Sequence, residues 1–176
     1  MAVRTNTARV QKARKVLYEL LLSDHSKNCL SCNRNQSCEL QKLGEKLGVT
    51  DPRFDMDSCR HGIDQSVSIT RDLSKCVLCR RCMTACGEVQ GIGVLGAQQR
   101  GFDTVIAPAM DFPIQDANCA ACGQCTVVCP VGALRETDGT QAVWDAINDP
   151  DMHVVIQAAP AVRVALGESF GYPAGT

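Results

Sequence analysis

The chain has 176 residues, of which 18 are basic, 19 acidic and 45% apolar, a length for one ordinary domain or two very small ones. A formal net charge of −1 supplies no field to steer it onto nucleic acid or an anionic membrane, and no run approaches the roughly 18 apolar residues of a membrane span. One Trp, two Tyr and four Phe cannot build a large aromatic core, whereas twelve cysteines are far above ordinary usage, so bonds at cysteine must help to hold the fold together.

The N-terminus, MAVRTNTARVQKARK, has no apolar stretch of the signal-peptide kind, so the chain reads as cytoplasmic and its cysteines as metal ligands rather than disulfides. From Thr7 to Leu22, residues Val10, Ala13, Leu17, Leu20 and Leu21 recur at helical spacing, with Thr5, Asn6 or Thr7 as N-cap. Cys38 to Leu47 predicts a second helix through Leu40, Leu43 and Leu47, closed by Gly48 in a left-handed cap. His25, Cys29, Cys32 and Cys38 fall in the loop between the two. Beyond Asp51-Pro52, Ser66 to Thr70 alternates as a short strand and leads into Cys76, Cys79, Cys82 and Cys86. Gly91 to Gly96 and Asp103 to Ala107 read as two arms of an insertion, after which Cys119, Cys122, Cys125 and Cys129 repeat the earlier spacing. Gly139 to Asn148 predicts a helix carrying Val143, Trp144 and Ile147, with Trp144 expected to pack against a following domain.

The repeated C-x2-C-x2-C-x3-C spacing feeds thiolates to a [4Fe-4S] cubane, because three cysteines in a tight loop can each reach a different iron. In two-cluster ferredoxins the fourth cysteine of each run crosses to the other cluster. The expected sets are therefore Cys76, Cys79, Cys82 and Cys129 for one cluster, and Cys119, Cys122, Cys125 and Cys86 for the second. Paired C-x2-C units also build structural zinc sites, but four-ligand zinc leaves the repeated third cysteine unexplained. Upstream, His25-x3-Cys29-x2-Cys32-x5-Cys38 supplies one imidazole and three thiolates. Its local spacing leaves a third cubane and a Cys3His zinc site both open. The expected fold class is α+β: a small helical His/Cys3 cluster domain over 1–65, a two-[4Fe-4S] ferredoxin-like domain over 66–137, and a linker helix in 138–176.

H-x3-C-x2-C-x5-C followed by two C-x2-C-x2-C-x3-C runs resembles the accessory iron–sulfur region (F-domain) of [FeFe] hydrogenases, notably of the multisubunit NAD(P)-linked type. The same order occurs in hydrogenase diaphorase subunits and some NAD-dependent formate dehydrogenases. Related histidine-ligated clusters occur in the large peripheral subunit of NADH:quinone oxidoreductase. At the other end, Gln157 to Gly171 (QAAPAVRVALGESFG) is similar to the opening of the catalytic H-cluster domain of [FeFe] hydrogenases. The resemblance implies three [4Fe-4S] clusters, the third held by His25, Cys29, Cys32 and Cys38. It also implies flavin/NAD(P)-binding and [2Fe-2S] redox subunits, or ferredoxin, as partners.

Two departures qualify the likeness. The plant-type [2Fe-2S] domain that usually precedes the histidine-ligated cluster is represented only by the connecting helix Thr7 to Leu22, and no cysteine after Cys129 could anchor an H-cluster. The chain is therefore expected to be the central relay segment of a larger oxidoreductase subunit, without a catalytic site of its own. The alternative is a standalone electron-transfer subunit of a diaphorase or formate dehydrogenase complex. Three cubanes need twelve ligands, which eleven cysteines plus His25 supply. Cys59 is left as a small structural thiol, and His61 and His153 as surface or core residues. Gly91-x-Gly93-x-x-Gly96 matches a bare dinucleotide fingerprint but is followed by no helix, so it is not taken as a cofactor site.

Overall fold

The computed structural model describes residues 2–54 and 62–173, so Cys59 and His61 lie outside the described residues. Internal contacts divide the chain into two compact units, Met1–Thr137 and Asp138–Thr176.

Helix α1 (Ala8–Ser23) starts where its cap allows: the Val10 N–H donates to Thr7 Oγ1 at 3.3 Å. Its buried face is not the leucine stripe. Tyr18, Glu19 and Ser23 are buried, whereas Leu17, Leu20 and Leu21 are exposed. Two polar anchors select that face. The Tyr18 hydroxyl donates to the Leu40 carbonyl at 3.0 Å, and the Arg53 Nε donates to the Glu19 carboxylate at 2.9 Å. Helix α2 (Glu39–Leu47) buries Leu40, Gly44 and Leu47, and ends at Gly48 with φ 62°. Gly44 sits where the two helices touch: a Cβ there would meet the Tyr18 ring Cζ at 2.9 Å.

Five short strands follow. Strands β1 (Ile63–Gln65), β2 (Ile69–Asp72) and β5 (Leu134–Glu136) form an antiparallel sheet in the order β1-β2-β5, with Thr70 opposite Gln65 and Arg71 opposite Leu134. The sheet thus begins at Ile63, three residues before the expected domain boundary, and its central strand starts late in the Ser66–Thr70 segment. Strands β3 (Gly96–Gln98) and β4 (Val105–Ala107) pair separately as the arms of the insertion.

All four residues of β2 are buried, three of them polar, and each has partners. Arg71 donates to Asp64 at 2.9 Å, to the Ile106 carbonyl at 3.1 Å and to Asp111 at 3.3 Å, tying the sheet to the insertion. Asp72 accepts from the Ser74 hydroxyl at 2.6 Å and pairs with Lys75 at 2.8 Å. The apolar core is small and largely aliphatic, with Ile69, Ile106, Ile114, Val131, Ala133 and Leu134 joined by the buried thiols Cys38, Cys82, Cys125 and Cys129. Cysteine therefore makes up part of the core itself.

In the second unit, α5 (Thr140–Asn148) starts with the Thr140 N–H donating to Asp138 Oδ1 at 2.9 Å, and α6 (Pro160–Ser169) starts with Pro160 at a position suited to its fixed φ. None of its described residues is buried, Trp144 included.

Candidate metal centres

The two cysteine runs fold alike up to their third cysteines. In each, the residue before the second cysteine and the residue after it are left-handed: Leu78 (φ 54°) and Arg80 (φ 64°) in the first, Ala121 (φ 52°) and Gly123 (φ 72°) in the second. Each loop then enters a one-turn helix, α3 (Arg81–Thr84) or α4 (Gln124–Val127), that contains the third cysteine. Three of the four left-handed positions are non-glycine, a conformation that costs about 1–2 kcal/mol per residue. Such strain persists where the surroundings over-determine it, as at ligand clamps. Helix α3 continues as a wide π turn (Ala85–Val89) carrying Cys86. Gly91 and Gly93 have φ near 70°, and the Ile92 and Gly93 amides donate back to the Cys86 carbonyl at 2.9 and 3.1 Å. That is the local role of the Gly-x-Gly pattern: it closes a turn over a cysteine and opens no helix.

Cys76, Cys79, Cys82 and Cys129 line one cavity of about 20 Å3. Cys86, Cys119, Cys122 and Cys125 line another of about 20 Å3. Burial, then the neighbouring Cys76, Cys129 and Cys79, pushes the Cys82 thiol up to about 12. Burial, then Cys119 and Cys122, pushes Cys125 up to about 11. Each set thus holds sulfurs close enough to make one another's ionisation costly, a penalty that coordinated cations reverse outright. Among the described residues, no three His, Cys, Asp or Glu side chains are drawn together tightly enough for a single ion. The thiols instead surround space.

His25, Cys29, Cys32 and Cys38 line a third and larger cavity of about 260 Å3, together with Tyr18, Arg34 and Gly132. His25 Nδ1 is buried without a hydrogen-bond partner. Burial, more than the nearby Lys75 ammonium, pushes the imidazole pKa down despite an opposing hydrogen bond to the Lys75 backbone, which favours the neutral ring that ligates metals. A buried, unpartnered ring nitrogen beside three thiols is the donor set that a cluster or a zinc ion would satisfy.

Sequence reading missed the residues that close this cavity. Gly132 packs against the loop so tightly that a Cβ would meet Cys32 Sγ and Asn33 Oδ1, each at 2.7 Å. Arg34 Nη2 donates to the Thr126 carbonyl at 3.0 Å, the Glu39 amide to the Pro130 carbonyl at 3.0 Å, and the Ser26 amide to the Ser74 carbonyl at 2.8 Å. The one sequence signal was Gly132 itself, a glycine three residues after Cys129 in the turn before β5.

Residues 14–53 match the family described as the NADH-ubiquinone oxidoreductase-G iron-sulfur binding region, and residues 75–133 match the 4Fe-4S dicluster domain. Over its whole length the chain is 48% identical to the NADP-reducing hydrogenase subunit HndD of Solidesulfovibrio fructosivorans, covering 30% of that protein. It is 34% identical to Iron hydrogenase 1 of Clostridium pasteurianum over 97% of the chain and 30% of the relative. Among solved structures, an NAD+-reducing [NiFe]-hydrogenase in the H2-reduced state superimposes with a TM-score of 0.68 at 27% identity, over 75% of this chain and 57% of that one. The chain spans about a third of the length of the two curated relatives. No helix among the described residues is long and apolar enough to cross a membrane.

Proposed function

We propose that this chain, an iron–sulfur segment of the hydrogenase-subunit type, carries electrons through three [4Fe-4S] clusters. Two are held by the crossed sets Cys76/Cys79/Cys82/Cys129 and Cys86/Cys119/Cys122/Cys125, and the third by His25, Cys29, Cys32 and Cys38. A bound [4Fe-4S] cluster accepts and returns one electron with little change in geometry. The chain's own part is to fix the ligands, exclude water around Cys82, Cys125 and Cys129, and present a neutral imidazole at His25. Its place is between a redox partner, either a flavin/NAD(P)-binding and [2Fe-2S] subunit or ferredoxin, and the H-cluster of an [FeFe] hydrogenase. Catalysis belongs to the holoenzyme and not to these residues.

The observation that carries this reading is the crossing: Cys129 lines the cavity of the first run, and Cys86 that of the second. Zinc in C-x2-C pairs gives no reason for it. Whole-length similarity to an NADP-reducing hydrogenase subunit supports the NAD(P)-linked setting. A second reading, an electron-transfer subunit of a diaphorase-type complex, draws support from the likeness to an NAD+-reducing [NiFe]-hydrogenase. Iron, acid-labile sulfide and zinc analysis of the anaerobically reconstituted protein, with EPR of its reduced form, tests the proposal. About twelve irons per chain are expected from three four-iron clusters. About eight irons with one zinc would assign the His25 site to zinc, and fewer than eight would overturn the crossed pair.

A further inference from the structure

The groove beside Cys79 is a separate feature from the three ligand cavities. It has a volume of about 390 Å3 and runs between α1, α2 and the first cysteine loop. Its floor is apolar: Leu21, Leu43 and Val77 face it, the two leucines still 44% and 42% exposed. Lys42, Lys46 and Arg81 stand along it against a single carboxylate, Glu39. Arg81 grips that carboxylate with two bonds, of 2.6 and 2.8 Å, leaving the two exposed lysines as the net charge of the rim. One thiol reaches the groove, that of Cys79. It is exposed, whereas Cys82 and Cys129 of the same set are buried and Cys76 is half-buried.

We propose that this groove is the docking surface for a small acidic one-electron carrier protein, which exchanges its electron at Cys79 without passing through the His25 site. The inference rests on the reading that Cys76, Cys79, Cys82 and Cys129 hold a cluster. The carrier's cofactor is oxidised by one electron and the centre at Cys79 reduced by one, with no bond made or broken and no proton moved. The chemistry of the surface specifies the partner. An apolar floor excludes water where the two centres meet, and an unneutralised lysine rim attracts carboxylates around a carrier's cofactor. Such complementarity raises encounter rates by about 10- to 1000-fold and weakens with salt.

The test uses the reconstituted holoprotein and an acidic plant-type [2Fe-2S] ferredoxin as probe, with affinity measured by calorimetry and electron transfer by anaerobic stopped flow. Lys42→Glu/Lys46→Glu should weaken binding and slow transfer at least about tenfold at low ionic strength, and Lys42→Arg/Lys46→Arg should retain both. The wild-type affinity should fall as salt rises. In the wild type, freeze-quench EPR should show the Cys79 centre reduced no later than the His25 centre. Unchanged binding in the charge-reversed variant with full iron content would overturn the docking surface. So would a wild-type protein that self-associates through this face and is made monomeric by the reversal. Loss of the iron assigned to the Cys79 set from the wild type would instead overturn the underlying cluster reading.

Discussion

The crossed cysteine cavities and the His25 cavity differ in who builds their walls. The crossed pair is enclosed to about 20 Å3 each, and its thiols Cys82, Cys125 and Cys129 are core residues packed with Ile106, Ile114 and Val131. The His25 cavity is about 260 Å3, and the polar Arg34, Asn35 and Gln41 share its wall with the core residues Tyr18, Cys38 and Leu40. Six thiols of the crossed sets belong to the core or pack against it, against Cys38 alone of the His25 set, so thiol and core are more nearly separable in the second case. A 137-residue unit with one buried aromatic ring among its described residues has little else to fold on.

The largest expected effect strikes the crossed pair. Cys82→Ser should remove about four irons and abolish cooperative thermal unfolding of the whole unit, read by circular dichroism, because metal binding and folding are coupled where ligands form the core. Retention of a sharp transition would show that ligand and core are separable there too. His25→Ala should also lose about four irons yet keep the sheet β1-β2-β5 and the EPR signals of the other two centres. Gly132→Ala drives a methyl into Cys32 and Asn33, an overpacking cost of about 1–3 kcal/mol, and should perturb the His25 centre while sparing the crossed pair. Gly123→Ala meets no atom within 4 Å, so its cost is that of the left-handed backbone, about 1 kcal/mol by urea denaturation. Arg80→Gly, at the matching position of the first loop, should relieve a similar strain.

Helix α1 begins at Ala8 behind Thr7, and α2 runs to Leu47 with Gly48 as its cap, as periodicity and capping chemistry required. Both signals are local, and local signals are what a sequence displays. The face that α1 buries was not legible, because Tyr18 and Glu19 are chosen by Leu40 and Arg53, distant in sequence. The same holds for β2, where Thr70, Arg71 and Asp72 would be solvent-facing by composition and are buried by partners as far away as Asp111 and Thr137. At the centres, spacing grouped the residues that line each common cavity. It carried neither the paired left-handed turns nor Gly132, since Arg80 shows no left-handed preference and a close approach leaves no periodic trace.

The contact of Gly132 with Cys32 also bears on the order of assembly. The His25 loop is made before the residues that close it: its wall is supplied by Gly132, and its Arg34 is anchored on Thr126, 92 positions later. Closing so long a loop is slow, and the residues that close it flank Cys129, Thr126 on one side and Gly132 on the other. On a ribosome the His25 pocket is a newborn surface that stays open until the last cysteine of the second run has emerged. Its maturation is therefore tied to translation of the second cysteine run rather than of its own.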